Sequence, residues 1–166
     1  MLKKLRENQH GFTLVELIIV IALIGIIAAA ATIAIHQVLT GTTLSNDLNT
    51  AVNQVRNAGY WISRDTQMAQ DVEDNPADPK ILELTWEDWE GSPHTVYYTL
   101  QQGKLERNYD GNQQALIAQY IKPKGEGTDC HWDEVERMLT VTFTAQAGEE
   151  SETRTFQVKP RPDVTS

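Results

Sequence analysis

Residues 11–35 read GFTLVELIIVIALIGIIAAAATIAI, and the reading of this run decides the fold. From Phe12 to Ile35 it holds 24 residues and one charge, Glu16. At 1.5 Å per residue a helix of this length is about 36 Å long, against a hydrocarbon core of about 30 Å. Lys3, Lys4 and Arg6 precede the run, and no Lys or Arg follows until Arg56. That asymmetry predicts a cytoplasmic N-terminus, with everything after Ile35 on the far side of the membrane.

Glu16 is the difficulty. A carboxylate at bilayer depth costs about 2.5–3.5 kcal/mol on insertion scales unless it finds a partner. Three readings fit the residues. One is a secretory signal peptide, with Leu17–Ile27 as its apolar core and Ala28–Ala31 as the small-residue cleavage site, releasing a soluble domain. Glu16 has no role in that reading. The second is an uncleaved single-span anchor, with Glu16 snorkelling to the interface. The third takes GFTLVELIIVIALIGIIAAA as one unit in which the carboxylate has a partner.

That unit resembles the N-terminus of type IV pilins and type II secretion pseudopilins. In this family a short basic leader ends in glycine, and a membrane-embedded prepilin peptidase cuts after it and methylates the new N-terminal residue. The resemblance gives Gly11 as the cleavage-site glycine, Phe12 as the methylated residue and Glu16 as the carboxylate. It implies that Glu16 meets the N-terminal amine of a neighbouring subunit, so two costly charges offset each other only when subunits stand in register. Glu16 is then an assembly determinant, and no catalytic residue is expected.

After Ile35 the apolar pattern narrows. Leu44, Leu48, Ala51, Val55, Ala58 and Ile62 recur at spacings of three and four, with Asn46, Asp47, Asn53, Gln54 and Asn57 between them. This is one face of an amphipathic helix. Gly41 and Gly59 are weak points, each glycine costing about 1 kcal/mol relative to alanine. The pattern predicts one helix from about Phe12 to about Val72, with a bend at Gly41. Its 12–35 part is the transmembrane or filament-core segment and 36–72 the amphipathic continuation. Residues 1–11 form the leader. The resemblance implies a pilin-like lollipop with this helix as its stem. Two departures stand out. Many major pilins carry a proline at the position of Ile33, and many close a C-terminal loop with a disulfide, which the single cysteine, Cys130, does not allow.

The cluster Asp74-Asn75-Pro76-Ala77-Asp78-Pro79 breaks the helix. Beyond it, strands are expected at Ile81–Trp86, Thr95–Leu100, Lys104–Tyr109, Met138–Ala145 and Arg154–Lys159. Ala115–Ile121 reads as a strand or short helix. Gln101-Gln102-Gly103 and Gly148-Glu149-Glu150 read as hairpin loops, and Pro160–Ser166 as a disordered end. The fold class is α+β, the helix packing on an antiparallel sheet of four to six strands within 73–166. The Arg64-Asp65 pair, with Tyr98, Leu100, Gly103, Leu105 and Arg107 after it, is similar to the J group of minor pseudopilins.

The net charge of −9 disfavours nucleic acid, whose binders present a basic patch or stripe. No phosphate loop, dinucleotide turn or nucleophile elbow occurs, so no cofactor and no enzymatic activity are implied. Asp129, Asp133 and Glu134 are the only weak metal candidates, suited to calcium, although the EF-hand spacing is absent. Otherwise 129–134 reads as a solvated loop. In Trp86-Glu87-Asp88-Trp89-Glu90 one ring is expected in the core and the other partly exposed.

The resemblance implies a structural subunit, minor rather than major, of a type IV pilus or related filament. A type II secretion pseudopilin, a DNA-uptake or adhesive tip pilin, and a secreted or anchored soluble domain are the alternatives. The implied partners are sister subunits, the prepilin peptidase and methyltransferase, and an inner-membrane assembly platform with its ATPase. The implied location is the inner membrane, then a cell-surface or periplasmic filament.

Overall fold

The computed structural model describes residues 11–74 and 76–162. It is α+β: one long helix, then eight antiparallel strands. Helix α1 runs Leu14–Met68. The leader expected at 1–10, Asn75 and the last four residues lie outside the described residues. The chain divides into two units, residues 1–43 and 44–166, each described by itself below.

In the first unit α1 is apolar on every side. Its threonines satisfy themselves. Thr32, Thr42 and Thr43 donate their hydroxyls to the carbonyls of Ala28, Val38 and Leu39 at 2.8–3.1 Å. The helix continues through Gly41, where an added Cβ would meet nothing within 4 Å.

In the second unit α1 becomes amphipathic. Ala51, Val55, Ala58, Gly59, Ile62, Asp65 and Thr66 are buried, on the stripe expected from the spacing. Leu44 and Leu48 begin that stripe but stay 37–40% exposed. The helix ends at Met68, earlier than the expected Val72. The Ala69 amide is shared between the Asp65 and Thr66 carbonyls, and the Gln70 amide then leaves the helix for Thr85 O at 2.8 Å. Strand β1 (Asp71–Glu73) follows and buries Val72. Pairing with the sheet wins over another helical turn, before the proline cluster is reached.

Strands β1, β2 (Lys80–Glu87), β3 (Pro93–Gln101), β4 (Lys104–Tyr109) and β5 (Gln113–Ala118) form one meander in sequence order. Strands β6 (Asp129–Asp133), β7 (Met138–Ala147) and β8 (Glu150–Val158) form a second, three-stranded sheet. A single sheet was expected; the chain builds two. The segment between them carries the junction, with Ile121 N donating to Gly103 O, Lys122 N to Thr144 O and Gln146 N to Tyr120 O. Residues 129–133, expected as a loop, form β6, because their backbone pairs with 138–142 of β7 and Cys130 turns inward. Residue 160, expected to be disordered, is buried, and Arg161 donates to Glu87 O.

The core lies between the C-terminal half of α1 and the sheets, with Tyr98, Phe143, Ile62, Leu82, Leu84 and Leu105 as its largest fully buried side chains. Small helix residues let the sheets approach. The tip of the Phe156 ring on β8 points at Gly59 so closely that a Cβ there would overlap its Cζ, Cε1 and Cε2 atoms. Gly59 is thus a contact point and not simply a weak spot in the helix.

Candidate functional site

Two arrangements invite a functional reading. The first is the N-terminal segment. Thr13 caps α1, its hydroxyl accepting from the Glu16 amide at 3.3 Å. Threonine at the cap and glutamate three residues on is the pattern of a capping box, which also suits the positive end of the helix dipole. That bond uses the Glu16 backbone amide; the carboxylate itself contributes through its place in the first helical turn. The Thr13–Glu16 spacing is itself the sequence signature of that box. Gly11 is exposed, a Cβ added there would meet nothing within 4 Å, and its φ lies outside the left-handed region. Among the described residues, neither packing nor backbone strain asks for glycine there.

Beyond Gly11 every large apolar side chain from Phe12 to Leu39 is exposed, from 41% at Val20 to 80% at Phe12. Fully burying each such side chain is worth about 1.5–3 kcal/mol. A helix that is apolar all round favours an apolar environment. The helix is long and apolar enough to cross a membrane.

The second arrangement lies in the second unit. Asp65, on the last turns of α1, is fully buried. Its Oδ2 accepts from the Tyr98 hydroxyl at 2.5 Å and from Arg107 Nε at 2.6 Å, and its Oδ1 accepts from an Arg107 terminal nitrogen at 3.0 Å. Short charge-assisted bonds in a fork are the strong kind, and they satisfy a carboxylate that burial would otherwise penalise heavily. Burial, and then the Asp65 charge, push the Tyr98 phenol far above its ordinary pKa. The hydroxyl is a fixed donor. Arg107 also lies 5.2 Å from the Trp61 ring centre and 5.3 Å from that of Tyr109. Three elements, α1, β3 and β4, are pinned at one node. The resemblance to the J group presents Asp65, Tyr98 and Arg107 as parts of one pattern; their mutual contact needs the fold.

The weak metal candidates are not drawn together. Asp129 and Asp133 lie at opposite ends of β6. Asp133 Oδ1 accepts from the amides of Val135 and Glu136 at 2.9 Å, capping the β6–β7 turn. Among the described residues no group of three or more His, Cys, Asp or Glu side chains could hold a metal ion. Cys130 faces the core, and burial pushes its thiol up to about 12. Trp86 is buried, while Trp89 is 90% exposed.

Residues 6–32 match the family described as the prokaryotic N-terminal methylation motif. That match contains Gly11, Phe12 and Glu16. It supports the type IV pilin and pseudopilin family, whose members are structural proteins. No curated protein and no solved structure matches the chain.

Proposed function

We propose that the chain is a prepilin-like precursor, cut after Gly11, N-methylated at Phe12 and assembled into a filament through α1. The observation that carries this reading is the methylation motif over 6–32, followed by an apolar helix with no buried face in its first unit. Gly11 adds support. Among the described residues nothing demands glycine there, and the requirement of a processing enzyme accounts for it.

Loss of residues 1–11 removes Lys3, Lys4, Arg6 and Glu7 and takes the side-chain charge from −9 to −11. The new Phe12 amine stands about one helical turn from Glu16. In the filament, Glu16 of one subunit meets the amine of the next, and the apolar faces of 12–39 bury one another by the area-proportional hydrophobic effect. Sister subunits, the peptidase and methyltransferase, and a membrane platform with its ATPase are the partners in this scheme. The subunit begins as a single-pass inner-membrane protein. A minor subunit of a type IV pilus or related filament is the finer assignment; a type II secretion pseudopilin is the second reading, and there the Asp65–Tyr98–Arg107 node, which joins residues of the J-like pattern, favours the J group.

The test is intact-mass and N-terminal peptide analysis of membrane-extracted protein co-expressed with a prepilin peptidase. The expected terminus is methylated Phe12. An uncut Met1, or a terminus near Ala31, overturns the proposal. In the same system Glu16→Leu is expected to be processed yet left out of filaments, while normal incorporation removes the register role of Glu16.

A further inference from the structure

The second unit carries two surface features of opposite charge that fit one another. One is the turn between β2 and β3. Asp88 Oδ1 accepts from the amides of Glu90 and Ser92 at 2.8 and 2.9 Å. The Asp88 amide donates to Ser92 O, and the Gly91 amide to Asp88 O. Gly91, at φ +79°, supplies the left-handed step. The backbone is therefore held by four hydrogen bonds, and it carries Trp89 outward at 90% exposure. Glu87 and Glu90 are exposed beside it. Asp88 is turned toward the turn amides and His94, and Arg161 donates to the Glu87 carbonyl.

The other feature is a cleft lined by Trp61, Arg64, Asp65, Met68, Arg107, Tyr109 and Gln113. Arg64 is exposed and lies 5.3 Å from the Trp61 ring centre. Arg107 lies 5.2 Å from that same ring but is committed to Asp65. Among the described residues no carboxylate pairs with Arg64. In a chain of net charge −9 this is a local positive site with aromatic walls. Trp, Tyr and Arg are the residue types that dominate interface energies, and a rigid aromatic loses little entropy on docking.

We propose that these features are the two halves of one contact. Trp89 of one copy of this chain seats in the Trp61–Arg64 cleft of a second copy, with Glu90 against Arg64. The Trp89 ring packs on Trp61 and Met68 and under the Arg64 guanidinium, where a cation over an aromatic face is favoured. The exposed Arg64 selects the acidic turn by charge. This contact lies in the second unit and is separate from the apolar helix surface that the proposed filament uses.

The experiment uses the full, uncleaved chain in detergent micelles, so its outcome is independent of processing at Gly11. A photoreactive benzophenone amino acid replaces Trp89, and crosslinked peptides are mapped by mass spectrometry. The expected product is a dimer whose crosslink falls within 61–68 or 107–113. Arg64→Glu alone, or Glu90→Arg alone, is expected to lower its yield by roughly tenfold, the loss typical of an interface anchor. Mixing the two variants restores it, because the exchanged charges again oppose one another when the cleft of the first variant meets the turn of the second. Both sites are exposed, and unchanged thermal unfolding confirms that the variants are folded. Absence of a dimer, a crosslink elsewhere, or failure of the mixture to recover overturns the proposal. Capture of a different subunit in place of a second copy overturns it as well.

Discussion

Residues 14–43 and 44–68 belong to one helix and solve opposite problems. In the second stretch, polar positions alternate with a narrow buried stripe, and three of its buried residues, Ala51, Ala58 and Gly59, are small. Small residues let β8 come close enough for Phe156 to touch the helix at Gly59. The first stretch has no such stripe. Its large apolar side chains point in every direction, and none is buried. A helix that is apolar all round needs an apolar environment all round. The second stretch finds its partner within its own unit; among the described residues the first buries none of its large apolar side chains. The difference lies in side-chain pattern alone, since the helical backbone is common to both.

The comparison breaks hardest at Asp65. Removing a buried, fully bonded carboxylate leaves Arg107 and Tyr98 without their partner in the core. Asp65→Ala is expected to destabilise the second unit by about 3–5 kcal/mol, read by urea unfolding followed through tryptophan fluorescence. Helical signal from the first stretch, measured by circular dichroism in micelles, should survive that transition. A loss under about 1 kcal/mol, the range of an exposed ion pair, would show that the node is not a structural pin.

The glycines sharpen the same contrast at a smaller scale. Helix propensity alone favours Gly→Ala by about 1 kcal/mol at either site. At Gly59 the added methyl runs into the Phe156 ring, and overpacking of that kind costs about 1–3 kcal/mol. Gly59→Ala is therefore expected to lower the unfolding midpoint of the second unit, and Phe156→Leu in the same chain to recover part of the loss. At Gly25 an added methyl meets nothing within 4 Å, so Gly25→Ala should leave that midpoint unchanged. Equal effects at the two glycines would erase the distinction between the two stretches.

These differences also explain what could be read in advance. The apolar run was legible because 24 residues with one charge need no tertiary context. The β3–β4 hairpin was legible because Gln102-Gly103 takes φ of +49° and +74°, a tight turn for which glycine is suited. The stripe on α1 was legible from its spacing, but the end of the helix was not. That end depends on Thr85, which accepts the Gln70 amide from a strand about fifteen residues further along the chain. β6 was missed because Asp129-Cys130-His131-Trp132-Asp133 lacks an apolar alternation strong enough to stand out, and its strand state is conferred by β7. Splitting into two sheets depends on the contacts of 120–122 with Gly103 and 144–146, which no local pattern announces. At the candidate site, Gly11, Phe12 and Glu16 were close in sequence and so could be picked out together. Asp65 is more than thirty residues from both Tyr98 and Arg107, and only folding joins them.

The smallest expected effect concerns the end of the first sheet. His94 joins two turns: its Nδ1 is 2.8 Å from Asp110 Oδ2 and its Nε2 is 3.4 Å from Asp88 Oδ2. Tyr109 stacks on it at 5.7 Å and also reaches Nδ1 through its hydroxyl, and Trp86 packs beside it. The bond to Asp110 raises the His94 pKa above its ordinary 6.5; burial opposes the rise and Asp88 adds to it. The Ser92 amide holds Asp88 below its ordinary 3.8, against the effect of burial. Burial would raise Asp110, but the Thr95 amide and His94 outweigh it and hold it low as well. A raised histidine contributes stability that is fully present below about pH 6.5 and is lost as pH rises through its folded value. The lowered carboxylates contribute above about pH 3.8 and lose their contribution as pH falls through theirs. The unfolding midpoint of the second unit should therefore be highest between these limits and decline modestly toward pH 8. Exposure and solvent screening keep the decline small. His94→Gln should flatten the alkaline decline, while the acid-side loss from the amide-bonded carboxylates stays. The measurement is a set of thermal unfolding curves from about pH 4 to about pH 8 for both proteins. An alkaline decline that persists unchanged in His94→Gln would assign it to some other group and leave the His94 clasp without a role in holding the turn that carries Trp89.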